Sequence, residues 1–204
     1  MERDVEPVNK IHSIAVPLLR DNIDTDAIIP SREIKAVSKT GLADGLFAGW
    51  RYRKSGGREP DPNFVLNDPA YQNARILLAG ANFGCGSSRE HAVWALKEYG
   101  FRAIIASSFN PIFRGNCVRN GIIPIELDSH AVVAAQQPLS VDLPAQTVSA
   151  ASGEVWHFEL DDESKSMLAL GLDAIDLTLL RQRDIEEFRA QDSKKRPWAY
   201  LEAS

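Results

Sequence analysis

Short apolar runs alternate with helix-like segments through the middle of the chain. The runs Ile76–Gly80, Ala103–Ala106 and Ile122–Leu127 have the length and composition of buried strands. Between them, Ser88–Tyr99 repeats its apolar residues at spacings of three and four, and Asn110–Arg119 also has the character of a helix. Strands that alternate with helices predict a parallel sheet with right-handed crossovers. The proline inside the last run predicts an edge strand or a bulge there.

The flanking parts of the chain add hairpin-like strands and further helices. The predicted elements are a strand at Ser13–Leu18, a polar turn and short apolar strand within Asp21–Pro30, a helix at Leu42–Trp50, a strand at Val155–Leu160, and helices at Glu163–Leu170 and Ala174–Ala190. Gly, Pro and charged residues crowd Arg51–Asn63, which predicts a mobile loop. We therefore expect residues 1–204 to form one α/β domain with β/β/α layers and a peripheral helical C-terminal segment.

Composition excludes several classes of function. The chain of 204 residues carries a net charge of −5, which argues against a general nucleic-acid binder. No apolar run approaches the roughly 20 residues that span a bilayer, and the first residues have no signal-peptide core, so we expect a cytoplasmic protein. Cys85 and Cys117 cannot ligate a metal cluster by themselves, and the four histidines show no metal-ligand spacing. If the function needs a metal, we expect another chain to hold it.

The segment Gly84–His91, GCGSSREH, follows the predicted strand Ile76–Gly80 and leads into a helix. A glycine-rich turn at a helix start offers free N–H groups and a favourable dipole to an anion. Ser87 and Arg89 would add a hydroxyl and a carboxylate clamp. The plainer interpretation is structural, because Ser87 and Glu90 also fit a capping box.

Known motifs narrow the choice. A dinucleotide fingerprint needs a third glycine where Arg89 stands, and neither a P-loop nor a GxSxG elbow is present. Ser87 has no evident histidine partner in the sequence. Its hydroxyl can act as a base only where N–H groups and the arginine charge stabilise the alkoxide.

Six segments occur in an order and at spacings that together resemble one known family. They are NIDTDAIIP at Asn22–Pro30, GLFAGWRYR at Gly45–Arg53, FVLND at Phe64–Asp68, ILLAGANFGCGSSREHAVWAL at Ile76–Leu96, IIASSFNPIF at Ile104–Phe113, and NGIIPIEL at Asn120–Leu127. The chain resembles the small subunits of 3-isopropylmalate dehydratase, which are similar to the swivelling C-terminal domain of aconitase. The resemblance implies an aconitase-like swivelling β/β/α domain.

The resemblance also implies a reaction and a partner. Such enzymes convert 2-isopropylmalate to 3-isopropylmalate by dehydration to isopropylmaleate and rehydration, the second step of leucine biosynthesis. The leaving hydroxyl binds a [4Fe–4S] cluster whose cysteines belong to a separate large subunit, so this chain itself is expected to bind no cofactor and no metal. A heterodimer with that large subunit is implied, and self-association of the isolated chain stays open.

The resemblance assigns roles to five residues. Ser87, the first serine of SSR, corresponds to the base that removes the carbon-bound proton. Arg89 corresponds to the clamp on a substrate carboxylate, and Ser88 to a lesser contact with it. Thr25, expected to bind substrate, and Asp26, expected to be catalytic, match the active-site aspartate motif, although the next residue is alanine where aconitase has histidine. Their alternative role is an ordinary Asx-type turn.

The GWRYR segment is where the resemblance leads us to expect the isopropyl group. Leu46, Trp50 and Tyr52 are candidates for an apolar wall, since each buried CH2 contributes about 0.8 kcal/mol. Arg51 is a candidate second carboxylate clamp, and the alternative is a solvated basic loop. We expect Cys85 to be a small neutral filler between glycines.

Two other functions stay open at this level. One is a related hydratase for another small diacid, of the citraconate or dimethylmaleate type. The other is a non-catalytic module that binds carboxylates. A binding module is expected to hold its ligand by itself, whereas a subunit that contributes half of a site is not.

Overall fold

The structure is a computed structural model that describes residues 5–34 and 38–200. Its centre is a parallel sheet in the order β2-β3-β4-β5. The strands are β2 at Ala15–Leu18, β3 at Ile76–Ala79, β4 at Ala103–Ala106 and β5 at Ile123–Glu126. Every residue of β3 and β4 is buried, as expected for a parallel sheet covered on both faces. The proline in β5 lies in an edge strand, as its sequence predicts.

A second sheet is antiparallel, in the order β1-β6-β7-β8. Its strands are β1 at Lys10–Ser13, β6 at Leu139–Asp142, β7 at Thr147–Ala150 and β8 at Val155–His157. In β1 and β6 the buried residues alternate with more exposed ones, so one face of the sheet turns inward. The inward face packs on the parallel sheet: Ile11, Leu139 and Val141 share a buried cluster with Ile76, Leu78 and Ile105.

Helices form the third layer of the fold, and further helices lie outside the layers. They are α1 at Thr25–Ile28, α2 at Ala48–Arg51, α3 at His91–Tyr99, α4 at Pro111–Arg119, α5 at Ser129–Val133, α6 at Asp162–Leu170, α7 at Ala174–Leu179 and α8 at Gln182–Lys195. Side chains of α1, α3 and α4 pack with the other face of the parallel sheet in a second buried cluster. The predicted α/β class with β/β/α layers is confirmed. No helix in the described ranges is long and apolar enough to cross a bilayer.

Several predicted elements differ in the structure for local reasons. The predicted strand at Ser13–Leu18 is two strands, because the chain passes from one sheet to the other at Ile14. The apolar run within Asp21–Pro30 is helix α1, since Asp24 caps it by accepting a hydrogen bond of 2.6 Å from the Ala27 N–H. The predicted helix at Leu42–Trp50 is broken by a left-handed residue, Phe47, with φ 49°.

The C-terminal third differs in element length. The strand predicted at Val155–Leu160 ends at His157. The helix predicted at Ala174–Ala190 is divided into α7 and α8, and α8 continues to Lys195. The preceding helix α6 ends at Gly171 in a left-handed conformation, where the sequence places the break.

Candidate active site

Three loops that follow β2, β3 and β4 meet at the carboxyl edge of the parallel sheet. The Asp21 carboxylate accepts a 2.7 Å hydrogen bond from the Ala81 N–H. The Asn82 N–H donates to the Ser108 hydroxyl at 2.8 Å, and the Phe83 N–H donates to the Ser108 carbonyl at 3.0 Å. Ligands of open α/β sheets bind at this edge. Hydrogen bonds therefore hold the loop that carries Ser87 at the edge of the sheet where such ligands bind.

Gly84 lets the loop of Ser87 pass closely between Ile23 and Phe113. Its N–H donates to the Ile23 carbonyl at 2.8 Å, and its φ is +74°. A Cβ at this position would lie 2.1 Å from Cγ of Phe113, on α4. Only glycine accepts both that torsion and that approach. Glycine is therefore required on steric grounds at the first position of GCGSSREH, and the motif packs against the Phe113 ring of α4.

The backbone of Ser87 and Ser88 is held from two sides while their side chains are exposed. The buried Thr25 hydroxyl donates to the Ser87 carbonyl at 3.1 Å. Asn116 Nδ2 donates to the Ser88 carbonyl at 3.4 Å. The Ser87 hydroxyl has no hydrogen-bond partner among residues 5–34 and 38–200. A hydroxyl on a fixed backbone and without an internal partner is available to a ligand.

The capping-box prediction for Ser87 is wrong. Helix α3 begins at His91, with Glu90 in the N-cap position, and no side chain caps it. The Glu90 carboxylate instead accepts a 3.0 Å hydrogen bond from Asn120 Nδ2. Since α3 starts later than predicted, the Ser87 hydroxyl is not used as a helix cap.

Arg89 and Asp26 form an ion pair beside the serines. Arg89 Nη1 donates to Asp26 Oδ1, and it also donates to the Ser31 hydroxyl at 3.1 Å. The Ser31 hydroxyl lies 3.3 Å from the same Asp26 oxygen. The Asp26 side chain is 57% exposed and that of Arg89 is 29% exposed, so the pair lies at the surface with Ser87. The structure therefore brings Thr25, Asp26 and Arg89 to the loop of Ser87.

Sequence reasoning missed two residues of this arrangement. Ser31 completes the Arg89–Asp26 contact, and Asn116 holds the Ser88 carbonyl. Neither residue stands in a recognisable pattern, because each acts across loops that are distant in sequence. The one available signal was that Ser31 directly follows the NIDTDAIIP segment.

Comparison with known proteins shows the family to which the chain is related. The model of the family described as the aconitase C-terminal domain matches residues 5–130, and a model described as LeuD_N matches residues 131–162. A 3-isopropylmalate dehydratase small subunit of Cupriavidus necator is 52% identical over 207 residues, covering 97% of this chain and 100% of that protein. One from Magnetococcus marinus is 46% identical, with the same coverage of 97% and 100%.

The chain belongs to the family of 3-isopropylmalate dehydratase small subunits. Its fold is shared with a solved structure, 3-isopropylmalate dehydratase (leuD) from Methanocaldococcus jannaschii. The two chains are 29% identical with a TM-score of 0.65, and the match covers 89% of this chain and 99% of that one. The expected aconitase-like architecture is thereby confirmed.

The Arg51 side chain makes its described contacts with residues other than those around Ser87. Its Nη1 donates to the Ala43 carbonyl at 3.0 Å, and its guanidinium lies over the rings of Tyr52 and Tyr99, at 5.5 and 5.0 Å from the ring centroids. Its Nε also donates to Asn67 Oδ1 at 3.4 Å. These contacts hold the base of the 51–63 loop, and the predicted clamp at Arg51 stays a prediction.

Only part of the predicted apolar wall is accessible to a ligand. Leu46 is fully buried in the core, which makes it unsuitable as a pocket wall. Trp50 and Tyr52 line a cavity of about 410 Å³ together with Arg20 and Arg53. The Arg20 guanidinium lies 4.6 Å from the centroid of the Trp50 ring. This cavity is therefore mixed in character, with an aromatic floor and cationic sides.

The 51–63 loop is tied to the rest of the small-subunit fold by a largely buried carboxylate. Glu33, whose side chain is only 4% exposed, pairs with Arg58 at 2.6 Å and with Arg32 at 3.4 Å. The Glu33 carboxylate raises the pKa of the Arg58 guanidinium through their hydrogen bond. The mobility predicted for this loop stays a prediction, and Arg58 fastens it beside the turn that carries Ser31.

We expect Arg58→Ala to lower the free energy of unfolding by about 1–3 kcal/mol, because it leaves the Glu33 carboxylate buried with only its weaker partner. The matched control is Arg53→Ala, which removes the 2.9 Å pair to Glu59, where both side chains are more than half exposed. That control is expected to cost no more than about 1 kcal/mol. Urea denaturation of the isolated chain measures both, and equal losses would contradict the tether.

The cysteines do not form a metal site. Among the described residues, no group of three or more His, Cys, Asp or Glu side chains is arranged to hold a metal ion. Cys117 is buried, and burial raises the pKa of its thiol, which disfavours the thiolate that a metal needs. Cys85 is half-buried in the site loop, where its carbonyl accepts a 2.9 Å hydrogen bond from the Thr25 N–H. These residues therefore do not fit an iron–sulfur cluster on this chain.

Proposed function

We propose that this chain supplies the proton-transferring half of a 3-isopropylmalate dehydratase active site, which a large subunit completes in a heterodimer. The substrate is 2-isopropylmalate, and the product is 3-isopropylmalate, formed through isopropylmaleate in leucine biosynthesis in the cytoplasm. The single observation that carries the proposal is the exposed Ser87 hydroxyl, which has a fixed backbone and lies in one loop system with the Arg89–Asp26 pair.

Ser87 is the proposed base. Its alkoxide takes the proton from the carbon next to the carbinol carbon, and the electron pair of that C–H bond becomes the second bond of the C=C. The carbinol hydroxyl leaves as hydroxide on the face that the partner covers. In the hydration that follows, hydroxide is added at the carbon that lost the proton, and the Ser87 hydroxyl delivers its proton to the former carbinol carbon, which gives 3-isopropylmalate and restores the alkoxide. Arg89 favours the alkoxide by its charge.

Arg89 is the proposed clamp for one substrate carboxylate. Within the described residues its hydrogen bonds use Nη1, which leaves Nη2 and Nε for a bidentate contact. In this proposal Asp26 and Ser31 hold the guanidinium in position, and Ser88 contributes a weaker contact to the same carboxylate. Thr25 fixes the Ser87 backbone, and Arg51 is kept as a candidate for the second carboxylate.

The [4Fe–4S] cluster belongs to the large subunit in this proposal, because the described residues of this chain do not fit it. The exposure of Ser87 supports a partner as well, since an active site that excludes water needs a second surface over this edge of the sheet.

We expect Cys85→Ser to leave the cluster content of the assembled enzyme unchanged and to retain much of its activity. Serine fits between the two glycines, and the Cys85 contact to Thr25 is made by the backbone. Iron and sulfide analysis of the co-purified heterodimer measures the cluster. Loss of the cluster in this variant would overturn the assignment of Cys85 as a filler.

Anaerobic co-production with a large subunit tests the proposed substrate. The heterodimer is expected to interconvert 2-isopropylmalate and isopropylmaleate, measured by ultraviolet absorbance, faster than it hydrates citraconate or dimethylmaleate. A preference for either of those two would assign the chain to a related hydratase. Calorimetry of the isolated chain adds a control, because tight binding of isopropylmalate without a partner would favour a binding module instead.

A further inference from the structure

Helices α6, α7 and α8 enclose an exposed apolar groove, which we call the C-terminal groove. Its volume is about 810 Å³, and its apolar lining is Leu170, Ala174, Leu177, Leu180, Ile185 and Phe188. Leu180 is 65% exposed and Phe188 is 62% exposed. A contiguous apolar surface of this kind marks an interaction site more often than isolated exposed residues do. Its apolar lining lies beyond residue 162, where the matched family models end.

The rim of the C-terminal groove is acidic. Asp162, Glu163 and Asp184 line it, and Arg181 is the cation among its lining residues. An occupant that complements this surface therefore has apolar or aromatic side chains together with an excess of positive charge.

The end of α8 has this complementary character. Lys194 and Lys195 are exposed in its last turn, and Trp198 follows at 78% exposure. The nearby Arg196 is already paired with Asp192 at 2.7 Å, so the two lysines carry the excess charge. The chain thus presents an acidic apolar groove at one end of α8 and a basic aromatic segment at the other.

We propose that two copies of this chain associate through antiparallel α8 helices, each placing its basic C-terminal end over the groove of the other. An antiparallel arrangement centred on Arg189 sets Asp184 opposite Lys194 of the second copy. It also sets Phe188 opposite Ala190, and it directs Trp198, which follows the helix, toward the groove of the second copy. Such a contact is isologous and closes as a dimer. The 14 residues of α8 give each copy a contact length of about 21 Å.

The reversal of charge along one helix favours a second copy as the occupant. Arg183 and Glu187 pair within the acidic half at 3.0 Å and so contribute little net charge. The remaining charges are acidic in the first half of α8, at Asp184 and Glu186, and basic in the second half, at Arg189, Lys194 and Lys195. These halves complement each other only when the two helices run in opposite directions. The groove is built from α6–α8 and uses none of the site residues Ser87 and Arg89, so dimer formation is independent of the proposed catalysis.

Sedimentation of the isolated full-length chain at rising concentration tests the proposal. We expect a species of twice the chain mass of 22.5 kDa. Phe188→Asp is expected to abolish it, with circular dichroism confirming that the fold is kept. The control carries Arg53→Glu and Lys54→Glu in a distant loop. It makes the same change in net charge as Lys194→Glu with Lys195→Glu, and it should dimerise like the unmodified chain.

Charge reversal provides the sharper test. We call Asp162→Lys with Glu163→Lys and Asp184→Lys the groove variant, and Lys194→Glu with Lys195→Glu the tail variant. Each variant should be monomeric by itself. A mixture of the two should form a dimer that contains one copy of each variant. A monomeric unmodified chain would overturn the proposal, as would a dimer that survives both charge-reversed variants. If the chain is monomeric and Phe188→Asp weakens only its binding to a large subunit, the groove belongs to that partner and the proposal is also overturned.

Discussion

Ser87→Ala, assembled with a large subunit, is expected to lower turnover by about 10²–10⁴-fold, the range that a positioned acid–base group contributes. The Ser87 side chain is exposed and has no hydrogen-bond partner within the described part of the chain. Its removal should therefore change the free energy of unfolding by no more than about 0.5 kcal/mol. The loss should appear in kcat, because the carboxylate contacts of Arg89 are retained.

Ser88→Ala is the matched control for this variant. Ser88 is the neighbouring exposed serine, and its fixed contact, from Asn116, is made to its carbonyl. We expect a small rise in KM and a turnover near that of the unmodified enzyme. Near-normal turnover of Ser87→Ala, or equal losses in both variants, would remove Ser87 as the base.

Gly84→Ala is expected to have the second largest effect, on stability and activity together. A methyl group at this position meets the Phe113 ring at 2.1 Å, and the residue has φ +74°. The left-handed torsion costs about 1–2 kcal/mol for a non-glycine residue, and overpacking adds about 1–3 kcal/mol. If the loop moves to relieve the contact, Ser87 moves with it, and a shift of about 1 Å can cost about 10²-fold in rate.

Gly56→Ala separates the torsion from the collision. Gly56 has φ +75°, yet a Cβ there would meet nothing within 4 Å. It should cost only the torsional part, about 1–2 kcal/mol, and leave turnover of the heterodimer unchanged. Thermal denaturation of both variants measures the difference, and equal losses would mean that the Phe113 contact does not determine the course of the site loop.

The parts of the fold that the sequence predicts are those determined locally. Strands β3, β4 and β5 are continuous apolar runs because both faces of the parallel sheet are covered. The end of α3 is equally local, since Gly100 accepts a φ of +124° there. Apolar pattern alone did not separate β1 from β2, because the change of sheet at Ile14 depends on partners distant in the chain.

The candidate site divides in the same way. Ser87 and Arg89 are visible in a motif, because their chemistry resides in neighbouring residues of one loop. The contacts that position them come from other loops: Thr25 holds the Ser87 carbonyl, and Ser31 lies against Arg89. The capping box failed because Glu90 is engaged by Asn120 on a distant element. Sequence periodicity carries no information about such cross-loop hydrogen bonds.

Titration of this chain into a fixed amount of cluster-loaded large subunit tests whether this chain supplies half of the active site through Ser87. We expect no isopropylmaleate formation by either subunit alone. Activity should rise with added chain and level off at an equimolar ratio, and the Ser87→Ala chain should produce no comparable rise. Full activity of the large subunit without this chain would contradict the claim that Ser87 supplies half of the active site. A Ser87→Ala chain that restores full turnover would contradict it equally.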